Sequence, residues 1–272
     1  MRARAAARHA AAELARNDIP DPEFEAEYLV RQAAGLSRAQ YFADPELSAE
    51  AKDRLAELLE RRLKREPAAY IAKQKEFFGL EFEVGPDVLV PRPETELLVE
   101  AVLREPGLSG STIVDIGTGS GCIAVVLALR APEARVVAVD VSADAIAVAR
   151  RNAERHGAHV EFVVGDLATA IGAVDIVVAN LPYIPSAEVA ELEPEVRYWE
   201  PVVALDGGPD GLALVRRLID DCAERLRPRL LALEVGFGQA AAVAEYAASR
   251  RATVEIRKDL AGIDRHVLCR WT

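Results

Sequence analysis

Cysteine and histidine are scarce in this chain of 272 residues. Cys122, Cys222 and Cys269 are odd in number and far apart, which speaks against a disulfide framework and fits a reducing cytoplasm. His9, His156, His159 and His266 do not fall into ligand spacing with them, so no metal site is expected. No apolar run reaches the length of a membrane span, and no membrane partner is expected. The first residues are basic and Ala-rich but lack a long apolar stretch, and Glu13 and Asp18 follow soon. The reading is a surface helix, not a signal peptide, with an organelle presequence as the alternative. Lysine is also sparse, and charge is uneven. Residues 1–75 carry 14 basic and 13 acidic side chains; the remainder carries 19 and 31. So acidic a second part is a poor host for a phosphate backbone, and no direct nucleic-acid partner is expected.

What is present divides into three stretches. Residues 1–75 read as a small helical bundle. Ala26, Leu29, Val30 and Ala33 share one side of one helix, and Leu55, Leu58, Leu59 and Leu63 repeat the pattern in another. Pro20, Pro22, Gly35, Pro45 and Pro67 punctuate it. Residues 76–90 read as a hairpin linker, with Phe77, Phe78, Leu80, Phe82, Val84, Val88 and Val90 interspersed with Gly79, Gly85 and Pro86. Residues 91–272 form the third. Pro93, Glu94 and Glu96 suit the first turn of a helix. Apolar strands at Thr112–Ile116, Arg135–Val139, Val160–Val164, Val174–Ala179 and Leu230–Glu234 then alternate with helices near Cys122–Ala131, Ala143–His156 and Leu212–Arg225. Val254–Arg257 and His266–Arg270 close as an antiparallel pair. The fold class is α/β, a mostly parallel sheet with helices on both faces.

Two stretches carry chemistry. The first strand runs into Gly117-Thr118-Gly119-Ser120-Gly121, a turn in which glycines let a ligand approach the backbone at the strand's C-terminal end. Cys122 stands where a dinucleotide fingerprint would carry Gly or Ala. The second strand ends at Asp140, an acid placed to accept ribose hydroxyls. Asp166 and Leu167 follow the third; Asp166 suits an adenine amine or a cap on the next turn, and Leu167 suits the adenine ring. The fourth strand ends in Asn180-Leu181-Pro182-Tyr183. The Asn amide offers an acceptor and two donors in one plane, Pro182 biases Leu181 toward an extended shape, and Tyr183 supplies a flat face. Such a group can clamp a small planar unit bearing an NH2.

On Val90-Pro91-Arg92-Pro93-Glu94-Thr95-Glu96, Asp115-Ile116-Gly117-Thr118-Gly119-Ser120-Gly121 and Asn180-Leu181-Pro182-Tyr183-Ile184, the chain resembles the protein glutamine N5-methyltransferases that modify peptide chain release factors. The likeness covers nearly the whole length. It implies a seven-stranded class I methyltransferase domain, with S-adenosylmethionine held around Gly117 to Gly121, Asp140, Asp166, Leu167 and Asn180. It also implies a glutamine in a Gly-Gly-Gln loop, held by Asn180, Leu181, Pro182 and Tyr183. The family usually has Pro where this chain has Leu181. The backbone carbonyl used at that position survives the change. Three other readings stay open on the residues: methylation of a glutamine on a ribosomal protein, methylation of an exocyclic amine of adenine or cytosine, and a binding scaffold without activity.

Overall fold

A computed structural model describes residues 1–271. Along the chain it contains helices α1 (Ala3–Arg16), α2 (Pro22–Ala34), α3 (Arg38–Phe42), α4 (Ala49–Leu63) and α5 (Ala68–Ala72), then strands β1 (Gln74–Phe77) and β2 (Leu80–Glu83). Next come α6 (Pro93–Leu103), β3 (Thr112–Ile116), α7 (Cys122–Arg130), β4 (Arg135–Asp140), α8 (Ala143–His156), β5 (Val160–Val164) and β6 (Ile176–Asn180). The last are α9 (Pro194–Arg197), α10 (Ala213–Asp221), β7 (Leu230–Glu234), α11 (Ala240–Ser249), β8 (Thr253–Lys258) and β9 (Asp264–Arg270). Among the described residues no helix is long and apolar enough to cross a membrane.

The contacts define two compact units. The first comprises Met1–Gln74 together with Glu193–Trp199. Its core is built from small residues on one side of α1 (Ala3, Ala6, Ala7, Ala10) against Leu29 and Val30 of α2 and Leu55 and Leu58 of α4. Small side chains let helices approach closely, so this core is made by backbone proximity as much as by side-chain bulk. Ser48 caps α4 by accepting from the Ala51 N–H, and Ser37 and Gln40 form a reciprocal capping box on α3. The Glu193–Trp199 segment is tied in by charge. Glu195 Oε1 lies 2.9 Å from Arg62 Nη1 and 3.0 Å from Arg65 Nε, and Arg62 also donates from Nε to Glu25 at 2.9 Å. A guanidinium suits this shared role because its N–H groups radiate in a rigid plane.

The second unit comprises Lys75–Leu192 and the chain from Glu200 onward. Its sheet has the order β5-β4-β3-β6-β7-β9-β8, parallel from β5 to β7, with β9 antiparallel to both neighbours. Strand residues alternate between two cores. Val114, Ile116, Val137, Val139, Val177 and Ala179 face α10 and α11, while Ile113, Val136, Ala138, Ile176 and Val178 face α6 and α7. Both faces are covered, which is why these strands read as unbroken apolar runs. The direction of winding reverses between β3 and β6, the place where open α/β sheets bind ligands at the C-terminal strand ends.

Two expectations needed correction. The hairpin ends at Glu83, not Val90. Phe78 and Gly79 make its turn with φ of 54° and 75°, and Phe77 and Phe82 bury in the sheet core. Beyond Glu83, Gly85 and Pro86 end the pairing, and residues 84–92 run without strand structure. The helix expected over Leu212–Arg225 stops as an α-helix at Asp221. It continues as a π turn, Cys222–Leu226, that keeps both Cys222 and Leu226 buried.

Candidate active site

The loops after β3, β4, β5 and β6 open onto one cavity of about 420 Å³. Gly117 to Ser120, Asp140, Asp166, Leu167, Asn180, Leu181 and Pro182 line it, with Ile116, Val139, Val203 and Leu214 giving apolar wall. Of the residues singled out from sequence, Gly121 and Tyr183 are not in the lining. Gly121 caps the N-terminus of α7 behind the loop, packed on Ala149. The Tyr183 ring is turned toward Gly236.

The Gly loop is held from below and from the side. Asp115, fully buried, accepts a 2.6 Å hydrogen bond from Thr118 Oγ1, and burial lifts its carboxyl to about 7. Gly117 has φ of 74°, and a Cβ there would meet the Leu181 side chain at 3.1 Å. Leu181 is 3% exposed and belongs to the sheet core. The residue that departs from the family pattern therefore acts as a strut between the Gly loop and the strand end that carries Asn180. At Gly119 a Cβ would meet nothing within 4 Å, so that backbone borders open space.

Asp140 carries more than the sequence suggested. Its Oδ2 accepts from the Gly119 N–H and its Oδ1 from the Ser142 N–H, each at 2.9 Å. A carboxylate keeps further acceptor sites after two such bonds, so the side chain still suits a pair of hydroxyls. Asp166 is half committed, since its Oδ2 pairs with Arg217 at 2.7 Å. Leu167 has φ of 48°, a left-handed conformation that costs a branched residue on the order of 1–3 kcal/mol and is a mark of functional loops. An acid flanked by backbone amides, an apolar wall and an open glycine backbone together fit an adenosyl group with a charged tail.

Asn180 lies at the end of β6, where the sheet register pairs it with Glu234 of β7, and Glu234 with His266 of β9. The three side chains form a row across neighbouring strands. The Asn180 Nδ2 donates to Glu234 Oε1 at 3.0 Å and to Thr95 Oγ1, on the first turn of α6, at 3.1 Å. Both amide hydrogens are thus occupied. No hydrogen bond among the described residues takes up Oδ1.

Residues that sequence reasoning passed over hold the motif's backbone. Gln239 donates from Nε2 to the Tyr183 carbonyl at 2.8 Å and accepts from the Gly236 N–H through Oε1, also at 2.8 Å. Ile184 bonds Leu205 and Gly207 through its N–H and C=O. Gly207 and Gly211 press directly on the motif. A Cβ on Gly207 would come within 2.6 Å of the Pro182 carbonyl oxygen, and one on Gly211 would fall on that of Tyr183. The doubled glycines of Asp206-Gly207-Gly208-Pro209-Asp210-Gly211 were the available signal. Arg92 lines the cavity and is held by the buried Glu200 at 2.8 and 2.9 Å.

This fold, with a Gly loop, an acid after the second strand and an Asn motif after the fourth, defines a class I methyltransferase. Two family models match, "PrmC N-terminal domain" over residues 5–72 and "Methyltransferase small domain" over residues 93–192. A release factor glutamine methyltransferase of Geobacter sulfurreducens is 45% identical over 85% of this chain and 82% of its own length. One of Caulobacter vibrioides is 41% identical over 92% and 90%. A methyltransferase from Pyrococcus furiosus superposes with a TM-score of 0.54 at 23% identity, over 80% of this chain and 97% of that one. The chain belongs to the release factor glutamine methyltransferase family.

Proposed function

We propose that this protein transfers a methyl group to the side-chain amide nitrogen (N5) of the glutamine in the Gly-Gly-Gln loop of a peptide chain release factor. The observation that carries this reading is the Asn180 amide, its two hydrogens spent on Thr95 and Glu234 and its oxygen left as an acceptor at the cavity. When bound, S-adenosylmethionine supplies an electrophilic methyl group on a sulfonium. The residues for it are Gly117 to Ser120 along the backbone, with Gly121 behind them at the start of α7, Asp140 for the ribose hydroxyls, Asp166 and Leu167 for the base, and Asn180 at the reacting end.

The chain's own task is positioning. A carboxamide nitrogen is a weak nucleophile because its lone pair is delocalised. Two acceptors, Asn180 Oδ1 and the Leu181 carbonyl, hold its two N–H groups and aim the nitrogen. The same acceptors favour the positive charge that grows on that nitrogen. The N–H acidifies as the new bond forms, so loss of the proton to these acceptors or to water needs no dedicated base. Pro182 keeps the Leu181 carbonyl extended, while the Tyr183 ring is turned toward Gly236, outside the cavity lining. Residues 1–75 serve as the recognition domain for the rest of the release factor, 76–90 as linker, and 91–272 as the catalytic domain.

The test is incubation with labelled S-adenosylmethionine and purified release factor, with mass spectrometry to locate the mark. Label on the Gly-Gly-Gln glutamine is expected. Label on a ribosomal protein or on nucleic acid instead overturns the assignment. A narrower check concerns Asp140. Replacing it with Ala removes the ribose acceptor and two bonds that hold the loops. The KM for S-adenosylmethionine is expected to rise at least tenfold or so, with a smaller change in kcat. An unchanged KM would remove Asp140 from the cofactor site.

A further inference from the structure

An asparagine amide can sit in either of two orientations related by a half-turn, and only one presents oxygen to the substrate. The neighbours decide which. Here they are Thr95, brought by the first turn of α6, and Glu234, brought by the pairing of β6 with β7. Glu234 is an expensive residue for its place. It is 1% exposed and its Oε2 accepts no hydrogen bond. The nearest cation-capable group, His266 Nε2, is 4.0 Å away and points its proton at the Glu94 carbonyl, 3.1 Å distant. A buried carboxylate so poorly paired does not stabilise a fold, and an apolar residue would cost less. We infer that Glu234 and Thr95 are positioning residues that lock the Asn180 amide with its oxygen toward the substrate, and that ionised Glu234 selects this orientation.

The inference rests on the reading of Asn180 as the substrate's acceptor. An ionised carboxylate only accepts, so it demands the Nδ2 side of Asn180. A protonated one carries an O–H whose nearest new acceptor is Asn180 Oδ1 after a half-turn. That would present NH2 to the substrate's own NH2. Burial raises Glu234 to about 7, opposed by its hydrogen bonds with Thr95 and Asn180 and by Arg265, and reinforced by Glu94. The other titratable groups facing it are His266, which burial holds toward the neutral form, and Tyr183 and Cys122, whose acidities burial lowers. Glu234 is therefore the member of this group that gains or loses charge near neutral pH. Activity should rise with pH as it ionises.

The experiment measures kcat and KM from pH 5.5 to 9 with release factor and S-adenosylmethionine, for the wild type, Glu234→Gln, Thr95→Val and Thr95→Ser. Thermal unfolding and S-adenosylmethionine titration accompany each. Wild-type kcat is expected to climb through an inflection near pH 7. Glu234→Gln keeps the shape and one acceptor, so it should fold and bind cofactor normally. Its kcat should fall roughly ten- to a hundredfold with KM little changed, and the inflection should disappear. Thr95→Val should lose about tenfold in kcat, and Thr95→Ser should restore most of it. A Glu234→Gln enzyme with wild-type kcat and the same pH profile overturns the inference, as does Thr95→Val with unaltered kcat. Absence of glutamine methylation by the wild type is a separate outcome, and it overturns the underlying functional reading instead.

Discussion

Asn180→Ala should lower methyl transfer to release factor by at least about a hundredfold while the protein still folds and binds S-adenosylmethionine. The magnitude follows from what the side chain does. Removing one preorganised partner of developing charge costs on the order of 10²–10³ in kcat. Asn180 is only partly buried, and its loss leaves strand pairing between β6 and β7 intact, so the fold should hold. Asn180→Asp makes the sharper comparison. It keeps the size and an acceptor oxygen but removes the donors to Thr95 and Glu234, and it sets a second carboxyl within hydrogen-bond distance of Glu234. One of the two must then hold a proton at neutral pH, and the acceptor geometry is lost. It should be nearly as inactive as the Ala variant. Retained turnover in either would remove Asn180 from the reaction.

The second large effect is expected at a residue outside the cavity lining. Gly211→Ala should cost on the order of a hundredfold in kcat and lower the unfolding temperature by several degrees. Gly211 has φ of 75°, so any Cβ there is strained, and this Cβ would collide with the Tyr183 carbonyl and with Gln239 Nε2, 2.6 Å away. The neighbour that must yield is backbone, held by a hydrogen bond from Gln239. Strain of this kind is worth roughly 1–3 kcal/mol. Its effect on rate should lie toward the upper end of that range, because Tyr183 is joined through Pro182 to the Leu181 carbonyl, and an ångström of misplacement can cost about a hundredfold. Gly172→Ala is the control. A Cβ there meets nothing within 4 Å, and φ is not in the left-handed region, so rate and stability should be unchanged. Equal behaviour of the two variants would show that the loop does not hold the motif.

Much of this protein is written locally in its sequence. The apolar runs became parallel strands because helices on both faces leave no side for polar residues. The Gly loop and the Asn motif were visible because backbone freedom and a planar amide are properties of single residues at fixed spacing. What local pattern could not determine is which distant groups meet. Thr95 and Glu234 lie 85 and 54 residues from Asn180, and only the packing of α6 and the register of β6 with β7 bring them to its amide. From sequence Glu234 was the last residue of an apolar strand, and Thr95 one letter of a motif. Gln239 and Gly211 likewise gain meaning from the carbonyl they press on, 56 residues from Gln239. Glu195 lies beyond the Asn motif in sequence, yet it pairs with Arg62 and Arg65 of the helical unit. The sequence by itself determined where the Gly loop, Asp140 and the Asn motif stand at the strand ends, because that chemistry resides in residue types at short spacing. The tertiary structure alone decided how the amide is oriented, because orientation depends on partners that only folding makes neighbours.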